Sequence, residues 1–228
     1  MKKIIAKIIV CISIIFCMMP DVLNAQNNKS ILMPGYDNQP YHFGFILGYN
    51  QMLLSGNSND GTYNIAPAGG FSVGVVGNMR INKYFDLRLI PTFSIGERKL
   101  SNIGTDLNPY PTPSIIELPL QIKYKSKRNY NTSAYIIAGA NYKFDMDSHK
   151  DYINDENNPM TLILRRNDIA AEIGAGFDFY TGFFKLGIEV KMSYGLINLI
   201  YDDFINSEYT NMFDKLRSKT FQLSLTFE

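Results

Sequence analysis

The residues best equipped for chemistry in this 228-residue chain are few. Glu117, Glu172 and Glu189 could supply a carboxylate pair, in which one carboxyl donates the proton that the other removes. His42 or His149, set beside a serine, would suit a lipid esterase. Gly174 and Gly176 make a fragment of a phosphate-cradling pattern. Each lacks the partners its chemistry needs. His42 begins a strand-like segment, whereas His149 lies in a polar stretch expected at the opposite end, so they cannot share a site. With two histidines, and with both cysteines confined to positions 11 and 17, no metal set is assembled. The two glycines sit inside a strand pattern, where curvature explains them better than phosphate binding. No catalytic residue, cofactor or metal is expected, no small-molecule substrate, and no enzyme.

The N-terminus reads as an export signal. Lys2, Lys3 and Lys7 precede an apolar run from Ile8 to Met19, too short for the ~20 residues that span a bilayer, and Leu23-Asn24-Ala25 offers a small residue for cleavage. Residues 1–25 are expected to be removed, 26–40 to form a periplasmic N-terminal segment, and 41–228 to form one domain. Loss of three lysines and Asp21 leaves 19 basic and 20 acidic residues. That balance gives no bulk attraction to nucleic acid.

The domain must position its charges on strands. Phe221, Leu223, Leu225 and Phe227 alternate with Thr220, Gln222, Ser224 and Thr226, the period of two that places opposite chemistries on opposite faces of a strand. The pattern recurs around Phe43–Tyr49, Phe71–Val75, Phe85–Ile95, Ile116–Tyr124, Ile169–Phe179 and Phe184–Tyr194. A strand over Ala134–Phe144 has apolar residues on both faces and no assignable register. Connections alternate in length: Asn82-Lys83, residues 126–131 and Thr181-Gly182 are short, whereas 51–69, 97–113, 145–166 and 197–217 are long and polar. Such alternation predicts an up-and-down transmembrane β-barrel of about eight antiparallel strands in the outer membrane, with short turns and both termini in the periplasm. Pro91 and Pro119 predict bulges or pairing breaks.

In this register the inner face collects Arg88, Glu117, Lys123, Glu172, Lys185, Glu189 and Lys191, together with Arg80, Asp86 and Asp178. An eight-stranded barrel is about wide enough to be filled by such side chains, so a network of paired charges is expected in place of an apolar core. Two candidate docking surfaces remain. One is the basic run containing Lys125, Lys127 and Arg128 at a short turn, suited to lipid phosphates or a periplasmic partner. The other is a short amphipathic helix in the last long connection, in which Tyr209, Met212, Phe213 and Leu216 recur at helical spacing after Ser207.

Several blocks carry a family resemblance: Phe43-Gly44-Phe45, Tyr84-Phe85-Asp86-Leu87-Arg88, Glu117-Leu118-Pro119-Leu120, Lys123-Tyr124-Lys125-Ser126-Lys127-Arg128, Gly139-Ala140-Asn141-Tyr142, Glu172-Ile173-Gly174-Ala175-Gly176-Phe177-Asp178 and Ser207-Glu208-Tyr209-Thr210. Together they resemble the PorT family, small outer-membrane barrels of the type IX secretion system of Bacteroidota. The resemblance implies a non-enzymatic barrel required for protein secretion, with outer-membrane lipids and other membrane or periplasmic secretion subunits as partners. The alternative is a small porin or surface-binding barrel.

Overall fold

The computed structural model describes residues 31–58, 63–66, 68–96, 99–102, 105–107, 114–146, 165–199 and 213–228. The expected signal segment, His149, Tyr209 and Met212 lie outside them. Strands dominate: β1 (Tyr41–Ser58), β2 (Tyr63–Ala66), β3 (Ala68–Arg80), β4 (Phe85–Leu89), β5 (Thr92–Gly96), β6 (Lys99–Asn102), β7 (Thr105–Leu107), β8 (Ser114–Lys125), β9 (Thr132–Asp145), β10 (Asn167–Tyr180), β11 (Lys185–Gly195) and β12 (Phe213–Phe227). The one helical element described is a single 3-10 turn, Tyr36–Asn38, entered through Gly35 at φ 86.

The sheet closes on itself. β1 pairs with both β3 and β12, and antiparallel neighbours follow in the order β12, β11, β10, β9, β8 and back through β4 and β5 to β3. β4 and β5 are two pieces of one barrel strand, because Leu89 faces Leu120 and Thr92 faces Glu117, so Ile90 and Pro91 pass Pro119 and Leu118 without a change of register. Eight barrel strands result. The expected break therefore appears at Pro91, without a bulge, while Pro119 stays inside β8. The Ile90 N–H still donates to the Pro119 carbonyl at 3.2 Å, and the Val75 N–H to the Pro91 carbonyl at 3.0 Å. Each proline removes a donor, and its carbonyl keeps its partner.

The alternation expected from sequence is the inside–outside alternation of the wall. Phe43, Phe45, Tyr49, Phe71, Val75, Leu120, Ile122, Ile173, Val190, Phe221 and Leu223 are exposed on the outer face, and their polar neighbours are buried. Near the short turns the outer face carries an aromatic band: Phe45 stacks on Phe227 at 4.8 Å, Phe184 lies 5.8 Å from Phe227, and Phe85 lies 5.0 Å from Tyr124. An apolar wall ending in aromatic rings suits a bilayer and its interface, and closure removes the unpaired edges that lipid could not hydrogen-bond.

Three expectations need correction. Phe213 begins β12 and Leu216 lies within it, buried and turned to the inner face; strand pairing of Ser58 with Phe213 and of Gly56 with Leu216 excludes a helix through those positions. Leu216 is therefore not an outward docking residue. The stretches 51–69 and 97–113 are not simple loops, because β1 runs on to Ser58 and β2, β6 and β7 pair as a separate three-stranded sheet. β9 has a definite register, with Ser133, Tyr135, Ile137, Asn141, Lys143 and Asp145 inward, and Ala134, Ile136, Ala138, Ala140 and Tyr142 outward.

Candidate functional site

Arg88, Glu117, Lys123, Glu172, Lys185, Glu189 and Lys191 are buried inside the barrel, as are Asp86 and Asp178, whereas Arg80 stays at the exposed rim, bonded to Asn38 and the Asn82 carbonyl. In the half nearer the short turns, Arg88 Nη1 donates to Glu189 Oε2 at 2.8 Å, and the Tyr135 hydroxyl donates to the same oxygen at 3.0 Å. Lys123 lies beside them, 2.7 Å from Asp178 Oδ2 and 3.7 Å from the centre of the Tyr135 ring. Tyr135 fits because Gly176 is its pairing neighbour across β10, and a Cβ at Gly176 would come 2.6 Å from the phenol ring. Gly174 likewise faces Ile137, with its Cβ position 3.0 Å from Ile137 Cγ1. The two glycines thus clear volume for large inward side chains, a more specific role than wall curvature.

Toward the long connections, Glu117 and Glu172 are brought together on one amide. Asn141 Nδ2 donates to Glu117 Oε2 at 2.6 Å and to Glu172 Oε1 at 2.9 Å. Ser94 donates to Glu117 at 2.7 Å, Gln121 to Glu172 at 2.7 Å, and Lys191 lies 3.5 Å from Glu172. This is the carboxylate pair anticipated from sequence, without Glu189, which is held on Arg88. Both carboxylates have lone pairs occupied by fixed donors, an arrangement that holds charge in place. Among the described residues no group of three or more His, Cys, Asp or Glu is arranged to hold a metal ion.

Toward both ends of the lumen the described inward residues are buried or paired. On the long-connection side Met52, Ile115, Ala170, Leu199 and Leu216 are buried, and Ser218 donates to Asp168. On the short-turn side Lys185 lies 2.8 Å from Glu228 Oε2, Lys125 lies 3.0 Å from Asp86, and residues 31–40 cross the opening. Burial opposes ionisation of Glu228, yet Lys185, Lys123 and Arg88 together hold its carboxyl below the ordinary carboxylate range. The family comparison decides what kind of wall surrounds this network: the model described as "Outer membrane protein beta-barrel domain" matches residues 24–201.

The chain belongs to that family.

It is an outer-membrane β-barrel, and the outward apolar face is its lipid surface. Solved structures similar to it include Neisserial surface protein A (13% identity, covering 83% of this chain and 99% of that one, TM-score 0.46). OprG from Pseudomonas aeruginosa shares 13% identity over 81% of this chain and 92% of its own, with a TM-score of 0.44. Ail of Yersinia pestis shares 14% over 83% and 98%, with a TM-score of 0.39. No curated protein sequence matches the chain. The closed strand pairing itself establishes the fold.

The expected basic docking surface is largely turned to the barrel's own use. Lys125 points inward to Asp86, and Arg128 binds the N-terminal segment through the Leu32 carbonyl and, at 3.5 Å, the Met33 carbonyl. Lys127 alone of the three is exposed. Sequence reasoning missed Tyr36, Asp37 and Tyr180, which complete this rim. Their only local signal is the Pro34-Gly35 turn that brings the segment back across the opening.

Proposed function

We propose that this outer-membrane barrel is a non-enzymatic, non-conducting protein that acts by binding at its rims and its lipid-facing wall. The observation that carries the reading is the filled lumen: opposite charges are paired inside it, with buried apolar residues toward one end and residues 31–40 at the other. A pore for solutes needs a continuous aqueous path, and an eight-stranded cylinder has room for little beyond its own side chains. The short turns and both barrel termini share one rim, which supports a periplasmic position for that rim. Vesicles containing the purified barrel are expected to show no swelling in isotonic sugar; swelling at rates typical of porins would transfer the reading to a small porin.

The narrower reading is an accessory subunit of type IX secretion, favoured by the Glu117-Leu118-Pro119 and Lys123-to-Arg128 blocks. On that reading, outer-membrane lipids and other membrane or periplasmic secretion subunits are its partners. Deletion of the gene is expected to abolish secretion of cargo carrying the C-terminal targeting domain. Normal secretion in the deletion strain would remove this reading and leave the surface-binding barrel intact.

A further inference from the structure

The rim of short turns, at the end of the charge network, holds a site that the lipid wall does not account for. Residues 31–40 seat one dipeptide in it. The Tyr36 ring stacks on His42 at 4.2 Å, meets Tyr180 edge-on at 6.1 Å, and lies 5.1 Å from Lys185 Nζ. The neighbouring Asp37 carboxylate accepts from the Tyr180 hydroxyl at 2.6 Å, with Arg128 at 3.6 Å and Lys125 at 3.9 Å.

The receiving half belongs entirely to the barrel: His42 on β1, Lys125 on β8, Arg128 in the following turn, Tyr180 on β10 and Lys185 on β11. Its cations are tied to the barrel as well as to the dipeptide. The Arg128 guanidinium lies 3.7 Å from the centre of the Tyr180 ring, and Lys125 and Lys185 are fixed by Asp86 and Glu228. Cation–π contact and a cationic pair favour a ligand with an aromatic face and a carboxylate. The inserted half is only part-buried and is held by hydrogen bonds: Arg128 to the Leu32 and Met33 carbonyls, the Arg80 N–H to the Pro40 carbonyl at 2.8 Å, Arg80 to Asn38 at 3.3 Å and the Leu32 N–H to Asn131 at 2.9 Å. A phenol is neutral at ordinary pH and burial pushes Tyr36 further up, to about 12, so the seated ring is uncharged.

We propose that the short-turn mouth is a receptor site for an aromatic–acidic peptide, occupied in cis by Tyr36–Asp37, and that a partner protein presenting the same pair displaces the N-terminal segment. The proposal rests on the reading that the barrel works through its rims. A short tether gives the cis dipeptide an effective concentration in the millimolar range, so the intact chain masks the site from weak competitors.

The test uses the full barrel in detergent micelles and a fluorescein-labelled peptide of residues 31–40, followed by anisotropy. The peptide is expected to bind the Tyr36→Ala/Asp37→Ala barrel at least tenfold more tightly than wild type, and to lose that binding when Arg128→Ala is added or when the peptide carries Asp37→Asn. Equal binding to wild type and the double variant, or binding indifferent to Arg128, overturns the proposal. If the double variant does not fold, Asp37→Asn alone in the barrel replaces it, with an intermediate gain expected and no gain overturning the idea. Failure here leaves the non-conducting reading untouched, because vesicle swelling tests that separately.

Discussion

Glu189→Ala is expected to destabilise the barrel by about 3–5 kcal/mol, because it strands a buried guanidinium. Arg88 and Glu189 are both fully buried and only 2.8 Å apart. Glu228, the other acid near Arg88, is 3.9 Å away and already 2.8 Å from Lys185, so it offers poor replacement. Tyr135 would also lose the acceptor of its hydroxyl. Removing both charges should behave differently. Arg88→Met with Glu189→Leu replaces the pair by apolar groups, a change that is often neutral or stabilising in other buried pairs. The chain has no tryptophan, so urea unfolding in vesicles is best followed by circular dichroism and by the heat-dependent gel shift. A single variant as stable as wild type, or a double variant as damaged as the single, would contradict the paired-charge interior.

Ile173→Arg is the second large effect, expected to cost about 2–4 kcal/mol, the penalty for a cation on the lipid face near the bilayer midplane. Ile173 is 64% exposed on the outer face and lies at the middle of β10. The same substitution at Phe183, 95% exposed on the turn between β10 and β11, should cost only about 0–1 kcal/mol, because there the charge reaches the interface. If the outer face met water, both changes would be mild. The comparison, read by the same unfolding assay, therefore separates a lipid wall from a wetted one.

Much of this wall was legible in the sequence because lipid-facing and inward residues differ in kind along most strands. Phe221, Leu223 and Leu225 against Gln222 and Ser224 leave no second register open. β9 was illegible for a physical reason. Its inward Tyr135 and Ile137 are apolar or aromatic, its outward Ala134, Ala138 and Ala140 are small, and the glycines that accommodate the inward pair lie about 40 residues later on β10. Ile46, Val76 and Ile90 form a buried inward cluster of the same deceptive kind. Phe213 and Leu216 happened to fall at helical spacing, but pairing with β1 extends that segment as strand. The charge network followed from alternation alone, whereas its pairing did not. Arg88 meets Glu189 across 101 residues of chain, and Arg128 meets Leu32 across 96. No local pattern records such contacts, and the second of them turned an apparent docking surface into an internal latch.

The central claim is that one face of every barrel strand meets lipid and the other meets an interior filled by its own side chains. Isoleucine and valine methyls test it directly, since these residue types occur on both faces: Ile122, Ile136, Ile173 and Val190 outward, Ile46, Val76, Ile90 and Ile137 inward. In nuclear magnetic resonance spectra of the barrel in lipid nanodiscs, spin-labelled lipid should attenuate the first group and spare the second, and a water-soluble gadolinium complex should spare both. Attenuation of the inward methyls by the gadolinium complex, or of both groups equally by the labelled lipid, would contradict the account.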